Sequence, residues 1–202
     1  MVKKQPVSPQ ATGGAGQIFE YRVGAIMLVH LLIGSPPPGL LVPVTEVALQ
    51  QRARGHLLDD IVLYADGRSL CTEFQVKRTL EVTTSDFAFV DTLVQALHTL
   101  KNRAELVASG RLSIGVIAKG KAGAVDQLES LAEWANGHHA HDTLAETFVP
   151  GVVDANLPSR LKQVQQAVAA AIERGAPNLG GVEETTHKFL SSLQVWRPSV
   201  AQ

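Results

Sequence analysis

The chain has 202 residues, of which 45% are hydrophobic and 18% are charged, with a formal net charge of −1 and a pI near 6.7. This length and apolar content suffice for one complete core, or for a core with a small appendage. The near-neutral charge excludes a global basic field, so any contact with nucleic acid must use local patches of cations. Such cations occur as pairs at Arg52 and Arg54, Lys77 and Arg78, Lys101 and Arg103, and Lys119 and Lys121.

The single cysteine, Cys71, excludes an intrachain disulfide framework and is typical of a reducing compartment. The apolar run from Val23 to Ile33 has only about half the length that a bilayer requires, and it contains His30. The extreme N-terminus lacks the apolar centre of a signal peptide. We therefore expect a soluble, cytoplasmic protein with no membrane partner.

The first predicted element is a long apolar helix. Residues 1–12 are polar, contain two prolines and show no periodicity, which predicts a flexible N-terminal arm. Gly13-Gly14-Ala15-Gly16 then opens a helix from about Gln17 to Ile33, and the three prolines that follow Ser35 prevent it from continuing. Because this helix is apolar nearly all round, we expect it to be largely buried.

A strand from Leu40 to Leu49 and a β-hairpin over residues 59–77 follow. The Asp-Gly pair in the hairpin predicts a two-residue loop, which sets Asp60 opposite Glu73. A four-residue loop would set Asp60 opposite Gln75 with the same facing. A three-residue loop would instead bring Asp59 to the polar side.

Strand alternation gathers the polar side chains of the hairpin on one face. That face carries Asp60, Val62, Tyr64, Cys71, Glu73, Gln75 and Lys77. The other face carries Ile61, Leu63, Ala65, Leu70, Thr72, Phe74 and Val76. We expect the apolar face to form core and the polar face to carry chemistry.

The remaining elements are helices and one further strand. Ser85-Asp86 is a good N-cap for a helix from Asp86 to Ala108, and the apolar run from Leu112 to Ala118 predicts a buried strand. Helical segments are then predicted near 124–136, 157–174 and 183–193. The order αβββαβ predicts an α/β fold in which helices flank a mixed sheet over residues 13–120. Residues 121–202 are expected to form a helical extension packed on this core, and the chain has the character of the front domain of a longer polypeptide.

An Asp at the start of the second strand and a Glu-x-Gln-x-Lys run in the third resemble the PD-(D/E)XK nuclease superfamily over about Gly13 to Gly120. More narrowly, four features are similar to the endonuclease domain of prokaryotic antiphage defence effectors. These features are the Gly-Gly opening of the first helix, Glu20-Tyr21, Asp59-Asp60-Ile61-Val62 and Gln75-Val76-Lys77. Such effectors include the CBASS nucleases activated by cyclic oligonucleotides and related ATPase-linked nucleases.

The resemblance implies a restriction-endonuclease-like core and a metal-dependent endonuclease that hydrolyses duplex DNA with low sequence specificity. Asp60, Glu73 and Gln75 would hold Mg²⁺, with Mn²⁺ as a substitute, because these ions prefer oxygen ligands. Lys77 would hold the attacking water or neutralise charge on the phosphorane-like transition state. Gln75 offers only a neutral carbonyl oxygen where many members have an acid, so Glu73 is expected to supply the missing charge.

Several alternatives stay open from the sequence. Glu20 either reaches the metal from the first helix or is an exposed acid stabilised by the helix dipole. The fold is either an active nuclease or a catalytically silent module that binds DNA or a partner ATPase, and an RNA nuclease would use the same site. Because one near-neutral copy would hold DNA weakly, homo-oligomerisation or an attached sensor domain is expected to bring several copies onto one duplex.

A second cluster of candidate ligands lies after Gly137. It consists of His138, His139, His141 and Asp142. No cysteine accompanies these residues, so we expect a surface histidine cluster and assign no metal to it.

Overall fold

A computed structural model describes residues 9–119, 123–138, 148 and 154–198. The strands are β1 (Val44–Leu49), β2 (Ile61–Ala65), β3 (Leu70–Lys77), β4 (Leu112–Ala118) and β5 (Leu193–Trp196). The helices are α1 (Pro9–Ile33), α2 (Phe87–Asn102), α3 (Ala104–Ala108), α4 (Ala124–Gly137), α5 (Leu157–Glu173) and α6 (Val182–Ser191). Short 3-10 turns occur at Arg52–Arg54 and Asp66–Arg68.

The five strands form one mixed sheet in the order β1-β2-β3-β4-β5. β1, β2 and β3 are antiparallel neighbours, whereas β4 runs parallel to β3 and β5 runs parallel to β4. Helices cover both faces, so the predicted α/β class with a mixed sheet is confirmed. The parallel step from β3 to β4 needs a crossover, which α2 and α3 supply.

One face of the sheet is covered by α1. The side chains of Phe19, Val23 and Met27 enter a buried cluster with residues of the sheet. The sheet residues are Val44, Ile61, Leu63, Phe74, Val76 and Ile117. The apolar face predicted for the hairpin therefore forms core against this helix, because residues at every second strand position point the same way.

The expectation that α1 is largely buried is wrong. It forms a single layer, so the side opposite the sheet has no cover within the described chain, and Leu32 and Ile33 are 83% and 68% exposed. The window Gly14–Ile33 has 20 residues, a mean hydropathy of 1.3 and 22% of its residues buried. It is long and apolar enough to cross a membrane by length and composition, unlike the shorter run judged from the sequence. The helix also takes in residues 9–12 of the predicted arm, while residues 1–8 lie outside the described part.

The second face of the sheet is covered by α2, α4, α5 and α6. Their buried side chains share one core with β4, and representative members are Leu97, Ile114, Leu128, Val164 and Phe189. The polar face of the hairpin lies on this side, because Glu73, Gln75 and Lys77 are in register with Ile114, Val116 and Ala118. The polar side chains are therefore partly enclosed by helices rather than spread over an open surface.

Two predicted helices end differently in the structure. The helix expected to extend to Leu193 ends at Ser191. Residues Leu193–Trp196 form β5 instead, and Leu193 pairs with Ile114 of β4. The extension after residue 120 is thus not entirely helical. The helix from Asp86 is interrupted at Arg103, whose φ of −127° and ψ of 32° are not helical. Its predicted cap is confirmed, since the Ala88 amide donates to Asp86 Oδ1 at 3.0 Å.

Gly115 is the position at which the sheet tolerates no side chain. It lies opposite Phe74 across β3 and β4, and a Cβ on Gly115 would overlap the Phe74 ring at Cδ1 and Cε1. Gly115→Ala is expected to lower the free energy of unfolding by about 1–3 kcal/mol, because the buried ring must move within a packed core. Urea denaturation followed by circular dichroism measures the change. Gly137→Ala, with nothing within 4 Å of its Cβ position, is the matched control and should cost nothing.

Candidate active site

The loop of the hairpin has four residues, not two. Ala65 pairs with Leu70 and Ile61 pairs with Phe74, so the next step along the ladder sets Asp60 opposite Gln75. The two-residue loop is therefore wrong, and the four-residue alternative is the one observed. Because the difference is an even number of positions, the predicted facing of the polar side chains is unchanged.

Side-chain bonds explain why the loop is longer than Asp-Gly alone predicts. Asp66, Gly67 and Arg68 have φ of 47°, 60° and 70°, and the Ser69 hydroxyl donates to Asp66 Oδ2 at 2.7 Å. The Arg68 guanidinium donates to both carboxylate oxygens of Glu46 on β1, at 2.8 and 2.7 Å. Because the second of these contacts reaches a neighbouring strand, local turn propensity alone does not reveal it.

Asp60 and Gln75 meet at the sheet edge where β2 begins and β3 ends. The Gln75 Nε2 group donates to Asp60 Oδ2, and the Val76 amide donates to the same oxygen at 2.7 Å. Gln75 is 5% exposed, and its Oε1 is buried without a hydrogen-bond partner. A buried acceptor without a donor is costly, so this oxygen favours a water or a cation beside it.

Glu20 and Lys77 act on the same carboxylate. Glu20 Oε1 accepts a hydrogen bond from the side-chain Nε2 of Gln50 at 3.1 Å. The backbone N–H of Gln50 donates to the backbone carbonyl of Asp60 at 3.2 Å. Burial raises the pKa of Asp60 to about 6, against the lowering effects of the Val76 amide and the Lys77 charge, while the charges of Glu20 and Asp59 raise it further. The structure therefore brings Glu20, Asp60, Gln75 and Lys77 into one electrostatic neighbourhood.

Asp59, the alternative ligand considered from the sequence, lies on the other side of this edge. Its carboxylate is 3.7 Å from Arg52 Nη1, in the short turn that precedes β2. The four-residue register leaves Asp60, not Asp59, on the polar face. The pairing with Arg52 gives Asp59 a local partner of its own.

Glu73 faces the same side but has different partners. It is completely buried, and its Oε1 accepts from Arg103 Nη1 at 2.5 Å and from His56 Nδ1 at 2.8 Å. The Tyr64 hydroxyl lies 2.9 Å from His56 Nε2, which completes a chain from tyrosine through imidazole to carboxylate. The other oxygen of Glu73, Oε2, has no partner among the described residues. The sequence indicated no role for His56 and suggested Arg103 only as a surface cation, because contacts between distant residues leave no periodic pattern.

The group formed by His56, Cys71 and Glu73 has ligand atoms within 4.8 Å of one another and is a weak candidate for a metal. Both ring nitrogens of His56 already have partners, and Arg103 supplies a cation to Glu73. Burial, followed by the charge of Glu73, raises the pKa of Cys71 to about 12, which keeps its thiol protonated. Imidazole and thiol donors are also not specific for Mg²⁺.

The histidine cluster after Gly137 falls mostly outside the described residues. His138 stacks on Trp134 with ring centroids 5.4 Å apart, and its Nδ1 lies 2.7 Å from the Trp134 carbonyl. His139, His141 and Asp142 belong to a segment that the structure does not describe.

Comparison with known proteins adds no assignment. No family model, curated protein or solved structure matches this chain.

The raised pKa of Asp60 predicts a pH-dependent effect of Asp60→Asn in the presence of EDTA. The ordinary aspartate pKa is 3.8 and the folded pKa is about 6, so the folded protein holds a proton that the unfolded chain releases across this interval. Above this interval the partly buried, ionised carboxylate of Asp60 destabilises the fold. Asp60→Asn should therefore raise the free energy of unfolding by about 1–3 kcal/mol at about pH 8, and the gain should shrink toward about pH 4.

Urea denaturation of both proteins at the two pH values checks this expectation. The amide introduced by the substitution retains an oxygen that can accept from the Val76 amide, so the backbone contact is preserved in the variant. An equal stability difference at both pH values would show that the charge of Asp60 is already compensated in the fold.

The network around Glu73 predicts a large loss of stability on truncation. Glu73→Ala should lower the free energy of unfolding by about 3–5 kcal/mol, because it leaves Arg103 and His56 without their shared anionic partner. Glu73→Gln keeps an acceptor oxygen and should cost less. Glu46→Ala is the control, since the Glu46–Arg68 pair is largely exposed and its loss should have a far smaller effect. Similar costs for Glu73→Ala and Glu46→Ala in urea denaturation would contradict this assignment.

Proposed function

We propose that this chain is a metal-dependent endonuclease domain of the PD-(D/E)XK type, with a restriction-endonuclease-like αβββαβ core, that hydrolyses duplex DNA with low sequence specificity. One observation carries the proposal. Asp60 and Gln75 lie opposite each other at one sheet edge, with Lys77 on the same face and Glu20 close enough to raise the pKa of Asp60. An acid, an amide and a lysine near the strand ends, with a second acid on the neighbouring helix, are the residue types typical of a PD-(D/E)XK site.

The residues present fit Mg²⁺ or Mn²⁺. Asp60 supplies a carboxylate whose charge is incompletely compensated, as its raised pKa indicates, and Gln75 Oε1 is a buried acceptor without a donor. Rotation of the Gln75 amide would turn its oxygen toward Asp60, and hard divalent cations prefer such oxygen donors. When bound there, the ion would polarise a phosphate oxygen and lower the pKa of water.

The negative charge that Gln75 lacks is better supplied by Glu20 than by Glu73. Glu73 is compensated by Arg103 at 2.5 Å and bonded to His56, so little of its charge is available to a second cation. Glu20 accepts a hydrogen bond from the uncharged side-chain amide of Gln50, and its charge still acts on Asp60. We assign Asp60, Gln75 and Glu20 to the metal, and Glu73 to positioning β3 through its two buried partners.

Lys77 supplies the positive charge on the reacting side. It is the last residue of β3, and its charge lowers the pKa of Asp60, so the ammonium group is close enough to interact with that carboxylate. A lysine ammonium in this place can orient the attacking water and neutralise charge that gathers on the phosphorane-like transition state. Its contribution is therefore larger in the transition state than in the ground state.

Exposed cations lie close in the chain to the strands that form this part of the sheet, and they suit a phosphate backbone. Arg54 precedes β2, Arg78 follows β3 and Lys119 follows β4, and all three are exposed. Contacts of this kind bind nucleic acid without reading its sequence, which favours low specificity. Arg103 does not belong to this set, since it bonds Glu73. With a net charge of −1, a single copy would bind DNA weakly, so we propose activation by homo-oligomerisation, by a sensor domain or by a partner ATPase in antiphage defence.

A second candidate is a catalytically silent module of the same fold that binds DNA or a partner protein. It is favoured by the two hydrogen bonds that Asp60 Oδ2 already accepts, and by the neutral amide at position 75. An RNA nuclease would use the same groups, and a challenge with duplex RNA separates it from a deoxyribonuclease.

The test is the nicking of supercoiled plasmid by wild type, Lys77→Met and Arg78→Met at high protein concentration. With Mg²⁺ or Mn²⁺ the wild type should cut, and Lys77→Met should lower the cleavage rate at least about 100-fold because transition-state charge loses its partner. Arg78→Met is the matched control, since it removes a neighbouring exposed cation and should weaken DNA binding while cleavage at saturating protein is retained.

The metal and the two rivals are resolved in the same assay. EDTA should abolish cutting by the wild type. Equal rates for wild type and Lys77→Met would show that the lysine is misassigned or that the activity is a contaminant. DNA binding without cutting under every metal condition would support the silent module.

A further inference from the structure

The outer side of α1 is apolar where a solvent-facing helix would be polar. Phe19, Val23 and Met27 face the sheet and are buried, whereas residues on the opposite side of the helix are exposed. These exposed residues are Ile18 at 54%, Tyr21 at 55%, Leu28 at 44%, Val29 at 52% and Leu32 at 83%. A contiguous apolar patch on this scale marks an interaction site more often than a neutral surface.

The spacing of the exposed residues is that of a helix–helix seam. Ile18, Tyr21, Ala25, Leu28 and Leu32 are separated by alternating steps of three and four residues, and Gly14 continues the same series. This repeat keeps all of them on one narrow stripe, as in the a and d positions of a coiled coil. We call this set the outer stripe of α1.

We propose that the outer stripe is the interface between two copies of this chain, which pack α1 against α1. The exposed large side chains of the helix amount to on the order of 500–700 Å² per copy, near the roughly 800 Å² per partner of a standard interface. A single stripe on each copy gives an isologous contact, which closes after two subunits.

The sizes along the stripe are complementary to one another in an antiparallel pair. In heptad terms, Ile18, Ala25 and Leu32 occupy the a positions, and Gly14, Tyr21 and Leu28 occupy the d positions. When a positions of one copy face d positions of the other, Ile18 meets Leu28. In the same register Tyr21 meets Ala25, and Leu32 meets Gly14. Tyr21 and Leu32 therefore face the two smallest residues of the stripe. Alternation of large and small side chains is what allows two helices to approach closely.

The charge of α1 favours a protein partner over a lipid surface. Among the described residues 9–33 the only lysine or arginine is Arg22. Helices that lie in a membrane interface usually carry several cations along their polar boundary, which this helix lacks. Full insertion would also remove Phe19, Val23 and Met27 from their cluster with the sheet.

The proposal is independent of the catalytic assignment, because it uses no residue of the site. Sedimentation velocity and light scattering on the complete 202-residue chain measure the association directly. The wild type should form a dimer below about 100 µM, and Leu28→Glu with Leu32→Glu should raise the dimer dissociation constant at least about 100-fold, since charges replace apolar contacts in both copies.

Phe87→Glu is the matched control. Phe87 is 70% exposed at the start of α2, on the other side of the sheet, so the same change there should leave the dimer intact. Circular dichroism melting establishes that the variants fold, and Leu32→Glu alone, at an 83% exposed position, serves if the double variant does not. In a flotation assay with phosphatidylcholine or phosphatidylcholine–phosphatidylglycerol vesicles, the protein should stay in the bottom fraction of the gradient, apart from the vesicles.

Three results would overturn the proposal. The first is a wild type that remains monomeric at about 100 µM. The second is a Phe87→Glu variant that associates as weakly as the stripe variants, which would mean that the apolar contact is non-specific. The third is a monomeric wild type that floats with vesicles, which would assign the stripe to a lipid surface.

Discussion

The pairing of β2 with β3 is the constraint on which the site depends. The four-residue loop places Asp60 beside Gln75, and it leaves Glu73 opposite Val62, further from the sheet edge. The loop is itself held by the two-forked bond from Arg68 to Glu46. The length of the loop at one end of the hairpin therefore decides which polar groups meet at the other end, because a β-ladder transmits its register along its whole length.

Two carboxylates on one sheet face, Glu73 fully buried and Asp60 partly buried, have opposite electrostatic environments. Glu73 has a guanidinium and an imidazole on one oxygen, so its charge is matched within the fold. Asp60 has two hydrogen-bond donors and a nearby ammonium, yet burial and two neighbouring acids still raise its pKa to about 6. The first arrangement stabilises the ionised carboxylate, whereas the second favours the protonated one.

The first helix connects this site to the surface of the molecule. Its buried side fixes it on the sheet, and Glu20 on the same helix reaches Gln50 beside Asp60. Its remaining side is the apolar outer stripe. A dimer formed through that stripe would hold two copies of the candidate site in one assembly, each with an acid from the interface helix.

The sequence by itself determined the local features of this protein. The prolines after Ser35 end α1 at Ile33, Asp86 caps α2, and strand alternation sets which hairpin residues share a face. Only the tertiary structure decided the loop length, the partners of Glu73 and the addition of β5 beside β4, because these depend on residues distant in the chain. Glu73 meets His56 and Arg103 across 17 and 30 positions, and such contacts leave no periodic trace in the sequence.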